Sequence, residues 1–178
     1  TDKATTVTGK AEANSIVTVY KGKVELGKTT AEKDGKYSVK IAKQKAGTEL
    51  SVTATDSAGN ISSATKVKVA DVTAPVKPTV NRVTDKAITV TGKAEPNSKV
   101  TVYKGKTKLG TATAGKDGKF SVKIAKQKAG TALSVTATDS AGNISSTTKV
   151  TVADVTAPAK PKLKTSLSNN TTKLEGTA

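Results

Sequence analysis

The chain has 178 residues, 34% of them hydrophobic and 2% aromatic, and a formal net charge of +16 carried by 29 Lys and one Arg against 14 acids. Cys, His, Met and Trp are absent, which excludes a disulfide framework, ordinary zinc, haem and iron–sulfur sites, and the usual nucleophile–base pairs of hydrolases. A single Arg82 and four aromatic rings (Tyr20, Tyr37, Tyr103 and Phe120) do not supply the Arg forks and stacking faces of a specific nucleic-acid reader, and no apolar run is long enough to cross a membrane as a helix.

From the N-terminus, the motifs are Thr8-Gly-Lys-Ala-Glu12, Lys33-Asp-Gly-Lys36, Ala54-Thr-Asp-Ser-Ala-Gly-Asn60 and Ala70-Asp-Val-Thr-Ala-Pro75. All four return 83 residues later, at Thr91–Glu95, Lys116–Lys119, Ala137–Asn143 and Ala153–Pro158. Aligned without gaps, residues 1–78 and 84–161 differ at 13 positions and so match at 65 of 78. The repeat sets the domains: 1–75 is a first module that lacks a counterpart of Thr79–Val83, 76–158 is a complete second module, and 159–178 begins a third. The ends therefore fall out of register. Either the sequence is cut through its repeats, or the C-terminal segment supplies the missing first strand to another copy by strand addition.

Between the first two modules, Val72-Thr-Ala-Pro-Val-Lys-Pro78 has two prolines, which remove amide donors and hold the preceding residues extended. It reads as a short, stiff linker. In the second module the alternating runs follow in order. Ile88, Val90 and Gly92 face one way. So do Val100 and Val102, then Phe120, Val122 and Ile124, then Leu133, Val135 and Ala137, and last Val150 and Val152. Between them lie Lys, Thr and Ser, the period of two expected of strands with one buried and one wet face. Asp34-Gly35 and Asp117-Gly118 read as tight hairpin turns. Pro96-Asn97-Ser98, Lys104-Gly105-Lys106 and Ala129-Gly130 read as further breaks. Ala125–Ala129 reads as a sheet-crossing loop. The expected fold is all-β: tandem Greek-key β-sandwich modules of about seven strands each, every one adding roughly 30–40 Å of reach.

The succession Val-Thr-Gly-Lys-Ala-Glu-Pro-Asn-Ser, Val-Thr-Val-Tyr, Lys-Asp-Gly-Lys-Phe-Ser-Val, Leu-Ser-Val-Thr-Ala-Thr-Asp-Ser-Ala-Gly-Asn and Thr-Ala-Pro resembles the bacterial immunoglobulin-like repeat found in tandem in large adhesins and other surface or secreted proteins. The resemblance covers the chain except for the imperfect start of the third copy. It implies an extracellular setting, at a bacterial cell surface or secreted, and service as a stalk, spacer or adhesive module. Abundant Lys and absent Cys suit a Gram-positive wall. Some giant adhesins that this chain resembles clamp calcium between modules with carboxylates near the joints. By that resemblance Asp71, Asp139, Glu95 and Asn143 form a candidate inter-module calcium site, with Asp56 and Asp154 at the equivalent positions of other joints. The alternative is that Asp139 bonds the amides of its own turn and Asp71 pairs with a nearby Lys.

The Lys-rich faces also read two ways. They keep exposed strands soluble and unpaired, or they attach the chain to anionic wall polymer, polysaccharide or extracellular DNA in a salt-sensitive way. The acids recur at turns and module ends, not in a convergent acid–base pair. The expectation is a non-enzymatic protein with no required cofactor. Its partners would be neighbouring repeats of the same chain and polyanionic wall or matrix polymers, with no specific nucleic acid and no membrane insertion.

Overall fold

A computed structural model describes residues 1–163 and 176–177, and all of its regular structure is β-strand. The chain passes from a first compact unit to a second at Pro75–Val76.

The first unit holds β1 (Thr6–Lys10), β2 (Ile16–Lys21), β3 (Val24–Thr30), β4 (Lys36–Lys40), β5 (Glu49–Thr55) and β6 (Thr65–Lys68). β1 pairs with β4 in one sheet, and β3-β2-β5-β6 form the other. All pairings are antiparallel. The alternation of Val with Lys and Thr places Val17, Val19, Val39, Leu50 and Val52 between the sheets. Each such side chain stabilises the unit by about 1.5–3 kcal/mol through burial.

The second unit repeats this plan with β8 (Thr89–Lys93), β9 (Lys99–Lys104), β10 (Thr107–Thr113), β11 (Lys119–Lys123), β12 (Ala132–Thr138) and β13 (Thr148–Thr151). It adds β7 (Thr79–Val80) ahead of them. Its sheets are β7-β8-β11 and β10-β9-β12-β13. Seven strands are present here and six in the first unit. The core gains Val83 and Phe120, which are 2% and 4% exposed. The counterpart of Phe120 in the first unit, Tyr37, is only half-buried.

Four sequence expectations change. Asp34-Gly35 and Asp117-Gly118 do not close hairpins. They sit where the chain crosses from one sheet to the other, and the Gly35 and Gly118 carbonyls accept the Ala11 and Ala94 amides beyond the ends of β1 and β8. The hairpin turns are Gly22-Lys23 and Gly105-Lys106, where Lys21 pairs Val24 and Lys104 pairs Thr107. Gly22 and Gly105 have φ of 59° and 57°, as a glycine at the first central position of a type II′ turn requires.

Ile88 is not inward but 62% exposed, because β8 begins one residue later and the alternation does not extend back to it. Thr101, expected outside, is buried. β9 lies between β10 and β12, and its Thr101 hydroxyl lies 3.5 Å from that of Thr111. The linker is also shorter than the prolines suggest. Pro78 is a buried part of the second unit, and its carbonyl accepts the Thr148 hydroxyl.

The segment Ala125–Ala129 joins β11 to β12 across the two sheets, as expected. Past the second unit, β14 (Lys162–Leu163) pairs antiparallel with β15 (Gly176–Thr177). Lys162 faces Thr177 and Leu163 faces Gly176, which repeats Thr79 facing Lys93 and Val80 facing Gly92. The remainder of the expected third repeat lies outside the described residues.

Candidate functional site

The strand order gives the second unit two poles. Thr79 pairs Lys93 at the end of β8, so the chain enters beside the β8–β9 loop. β12 neighbours β9 and runs toward the same end, which brings Asp139 to the pole of Glu95. β13 returns antiparallel, with Thr151 facing Ala132. The chain therefore leaves, past Asp154, at the opposite pole. The first unit has the same arrangement for β5 and β6, where Glu49 faces Lys68, so Asp56 and Asp71 lie at opposite poles of that unit.

Each predicted Asp has a local task. Asp139 Oδ1 accepts the amides of Ala141 at 2.9 Å and Asn143 at 2.8 Å, and Oδ2 accepts Asn143 Nδ2 at 2.8 Å. Gly142, with φ of 92°, turns the chain inside this loop. Asp56 repeats the pattern with Ala58 and Asn60 at 2.9, 2.8 and 2.8 Å. These donors hold both carboxyls below the usual carboxylate range. For Asp56 the Asn60 side chain is the main cause, and for Asp139 the bonds from Asn143, Ala141 and Gly142 outweigh the opposing effect of partial burial. The Asp-Ser-Ala-Gly-Asn motif is thus a loop-building device, sealed at its base by the Ser145 hydroxyl, which accepts the Ala137 amide at 2.9 Å and donates to the Ser146 carbonyl at 2.9 Å.

Glu95 contributes its backbone carbonyl to a turn, accepting the Ser98 amide at 3.1 Å and hydroxyl at 2.7 Å, while its side chain is exposed. Asp71 Oδ1 accepts the Thr73 amide at 3.0 Å, and Asp154 Oδ1 the Thr156 amide at 2.9 Å. Calcium requires six to eight oxygen ligands. Among the described residues, no three Asp, Glu, His or Cys side chains gather to form a metal centre.

Sequence reasoning missed a second pair of acids. Asp85 accepts the Val155 amide at 3.1 Å on Oδ1 and the Thr156 hydroxyl on Oδ2. Asp2 accepts the Val72 amide at 3.0 Å and the Thr73 hydroxyl in the same way. The available signal was the presence of Asp at the opening of both copies together with Val-Thr at the close of both. Residues 70 apart show no local period that would join them.

A cleft of about 590 Å³ opens between the two sheets of the first unit at the Asp56 pole, bordered by Glu12, Tyr37, Asp56 and Asn60. Its best-held acid is already engaged by its own loop, which does not provide a paired acid and base for catalysis.

A family model described as the bacterial Ig domain matches residues 1–71 and again 74–154. The cell wall-associated protease of Bacillus subtilis (strain 168) is 40% identical over 149 residues, and the match covers 83% of this chain but only 16% of that protein's length. The solved structure of Rst D1-D2 aligns with a TM-score of 0.54 at 15% identity, over 84% of this chain and 91% of that one, a likeness of fold. The BSP domain of a biofilm associated protein aligns over 89% of this chain and 29% of its own, at 25% identity and a TM-score of 0.44. Two tandem matches leave only short ends uncovered, over strands already seen to form the same two-sheet unit twice: the chain belongs to the bacterial Ig domain family.

Proposed function

We propose that these repeats are a non-enzymatic stalk, carried by a bacterial cell-surface or secreted adhesin-like protein, that spaces or presents something borne elsewhere on the polypeptide. The observation that carries this reading is the polarity of the second unit: the chain enters at the Glu95 pole and leaves at the opposite one. A unit of that kind adds length with each copy. Its longest strands have seven residues, about 24 Å of extended chain. The near-identity of the copies supports a role set by copy number. The name of the Bacillus relative supports a location at the cell wall. The role requires no cofactor.

The test is scaling. Chains of two, three and four repeats, measured by small-angle scattering, are expected to gain a constant increment of maximum dimension per repeat. A dimension that stops growing with copy number would sink the stalk.

A second reading, attachment to anionic wall polymer, polysaccharide or extracellular DNA, is favoured by one repeated feature. Lys10 faces Lys36 across β1 and β4, and Lys93 faces Lys119 across β8 and β11. Like charges directly opposed destabilise a sheet; Asp34 and Asp117, ion-paired with Lys36 and Lys119 at 2.6 and 3.1 Å, offset part of that cost, and Lys10 and Lys93 are left to meet anions. The copies differ in strength: residues 1–75 carry 12 Lys against 8 acids, a balance of +4, and residues 76–158 carry 14 basic residues against 5, a balance of +9. Cosedimentation with purified wall polymer over a salt series is expected to show binding that weakens steeply with salt. It should fall further when Lys93 and Lys119 are replaced by Gln than when Lys10 and Lys36 are. No sedimentation at low salt would remove this reading and leave the stalk untouched.

A further inference from the structure

We propose that the outer face of the β10-β9-β12-β13 sheet binds an acidic polysaccharide, a chain of sugar rings bearing carboxylates, with Tyr103 as its stacking surface and Lys108 and Lys149 as its charge partners. The inference rests on the attachment reading and adds to it a second surface and a ligand class.

The first unit shows the same face with its cations paired. Glu25, Tyr20, Ser51 and Lys66 follow one another across β3-β2-β5-β6, each opposite the next. Tyr20 stands on the outer face because Val17 and Val19, at the alternate positions of β2, fill the core. Lys28 lies 3.6 Å from Glu25, and Lys66 lies 3.0 Å from Glu49. With Lys68 opposite Glu49, the outward charges are three Lys against two Glu, a balance of +1.

The second unit keeps the ring and loses both acids. Tyr103 is half-buried at the position of Tyr20, and Lys108 stands opposite it where Glu25 stood. On the neighbouring strands Ser134 faces Lys149. Ala132 replaces Glu49, the partner of Lys66, so the matching Lys149 is released. Among the described residues neither Lys108 nor Lys149 makes an ion pair.

The differences between the copies concentrate on this face. Six of the 13 change a charge. Five of those six lie here: Lys99 for Ile16, Lys108 for Glu25, Thr111 for Lys28, Ala132 for Glu49 and Thr151 for Lys68. The strand residues of the face then carry three Lys and no acid, a balance of +3. General solubility makes no such demand on one face.

The chemistry of the face selects the ligand. A tyrosine ring offers a flat apolar surface with a polar tip, which suits the C–H face of a sugar. The Ser134 hydroxyl can donate to or accept from sugar hydroxyls. Lys108 and Lys149 belong to the two outermost strands of the sheet, about 14 Å apart by strand spacing, so they meet charges on different sugars of one chain. A single-stranded nucleic acid would need a ring for each of several bases, and this face has one. A polyphosphate has no ring to stack on Tyr103.

The experiment titrates the 178-residue protein with an oligogalacturonate at low salt, read by calorimetry and by NMR of the tyrosine rings. The expected result is one site per chain, with the Tyr103 resonances shifting and those of Tyr20 unmoved. Lys108→Glu with Ala132→Glu installs residues that the first unit already carries in the same fold. It is expected to weaken binding at least about tenfold, and Tyr103→Val about fivefold. The reverse exchange, Glu25→Lys with Glu49→Ala, is expected to raise the stoichiometry from one site to two. Binding unchanged in the first double variant, a stoichiometry that stays at one after the reverse exchange, tighter binding of polyphosphate or of an oligothymidylate, or no binding of oligogalacturonate would each overturn the proposal. If wall polymer then still cosediments and depends on Lys93 and Lys119, the attachment reading stands without this site. If neither ligand binds, both fall.

Discussion

The Asp85 carboxylate holds Thr156, 71 residues away, by accepting its hydroxyl hydrogen bond, and accepts the Val155 amide beside it. This bond fastens the opening of the second unit to its close. Thr84 and Ala153 pair in parallel next to it, and the Asp85 amide donates to the Ala153 carbonyl at 3.0 Å. The first unit repeats the clasp with Asp2, Val72 and Thr73. A stalk under tension pulls on the two ends of each unit, and parallel segments joined this way must shear together before either peels. Asp85→Ala is therefore expected to lower the force at which the second unit unfolds in single-molecule extension, and to lower its melting temperature by a few degrees. Unchanged force in the variant would show that the load is borne elsewhere.

The same carboxylates set an acid limit. Asp85 is held below its ordinary pKa by the Thr156 hydroxyl first and the Val155 amide next, and Asp2 by Thr73 and then Val72. Asp56 and Asp139 are held low by their own loops. In the unfolded chain an Asp titrates near about 3.9. A folded pKa below that value means that the unfolded state binds more protons. The stabilisation is thus fully present above about pH 4 and is lost as pH falls through the folded values. Melting temperature should be level from neutral pH to about pH 5 and decline below about pH 4. With Asp2 and Asp85 both replaced by Asn, the decline should be shallower; a profile as steep as the parent's would assign the acid sensitivity to other groups.

The core is where reading by period and reading by structure part most clearly. Leu133 is inward by alternation and 0% exposed in the structure, while Ile88 is inward by alternation and 62% exposed. Leu133→Ala should cost about 2–5 kcal/mol by denaturant unfolding. Ile88→Ala should stay within about 0.5 kcal/mol, as exposed substitutions usually do. A large cost at Ile88 would mean that this side chain is covered in solution.

That contrast explains how much the sequence could disclose. The repeat, the two-sheet plan and the inward Val of each strand were legible, because period two and an exact 83-residue offset are local or countable. The sheet-crossing role of Asp117-Gly118 was not. Asp-Gly reports a sharp turn but not which strands flank it, and that depends on β10 and β11 lying in different sheets. The burial of Thr101 follows from its central strand. The Asp85–Thr156 bond depends on a long-range return of the chain that no spacing rule encodes. At the candidate site, the residues of the Asp-Ser-Ala-Gly-Asn loop were recognised. That Asp139 bonds the amides of its own turn was one of the two readings the motif allowed; the bond from the Asn143 side chain to its second oxygen required the closed geometry of the loop.

The calcium reading of Asp71 and Asp139 can be separated from this local task by experiment. If Asp139 serves its loop, Asp139→Ala frees the amides of Ala141 and Asn143 and lowers the melting temperature equally with millimolar calcium and with chelator. A calcium site makes a different demand. Calcium would raise the parent's melting temperature by mass action, and Asp71→Ala with Asp139→Ala would remove that rise. Asp139 already has both oxygens engaged at 2.8–2.9 Å, and no three carboxylates gather among the described residues. The expected outcome is therefore a parent indifferent to calcium. A calcium-dependent rise that survives in the double variant would place any cation away from these two residues. One that disappears with them would show that the loop carboxylates accept a metal in addition to their own amides.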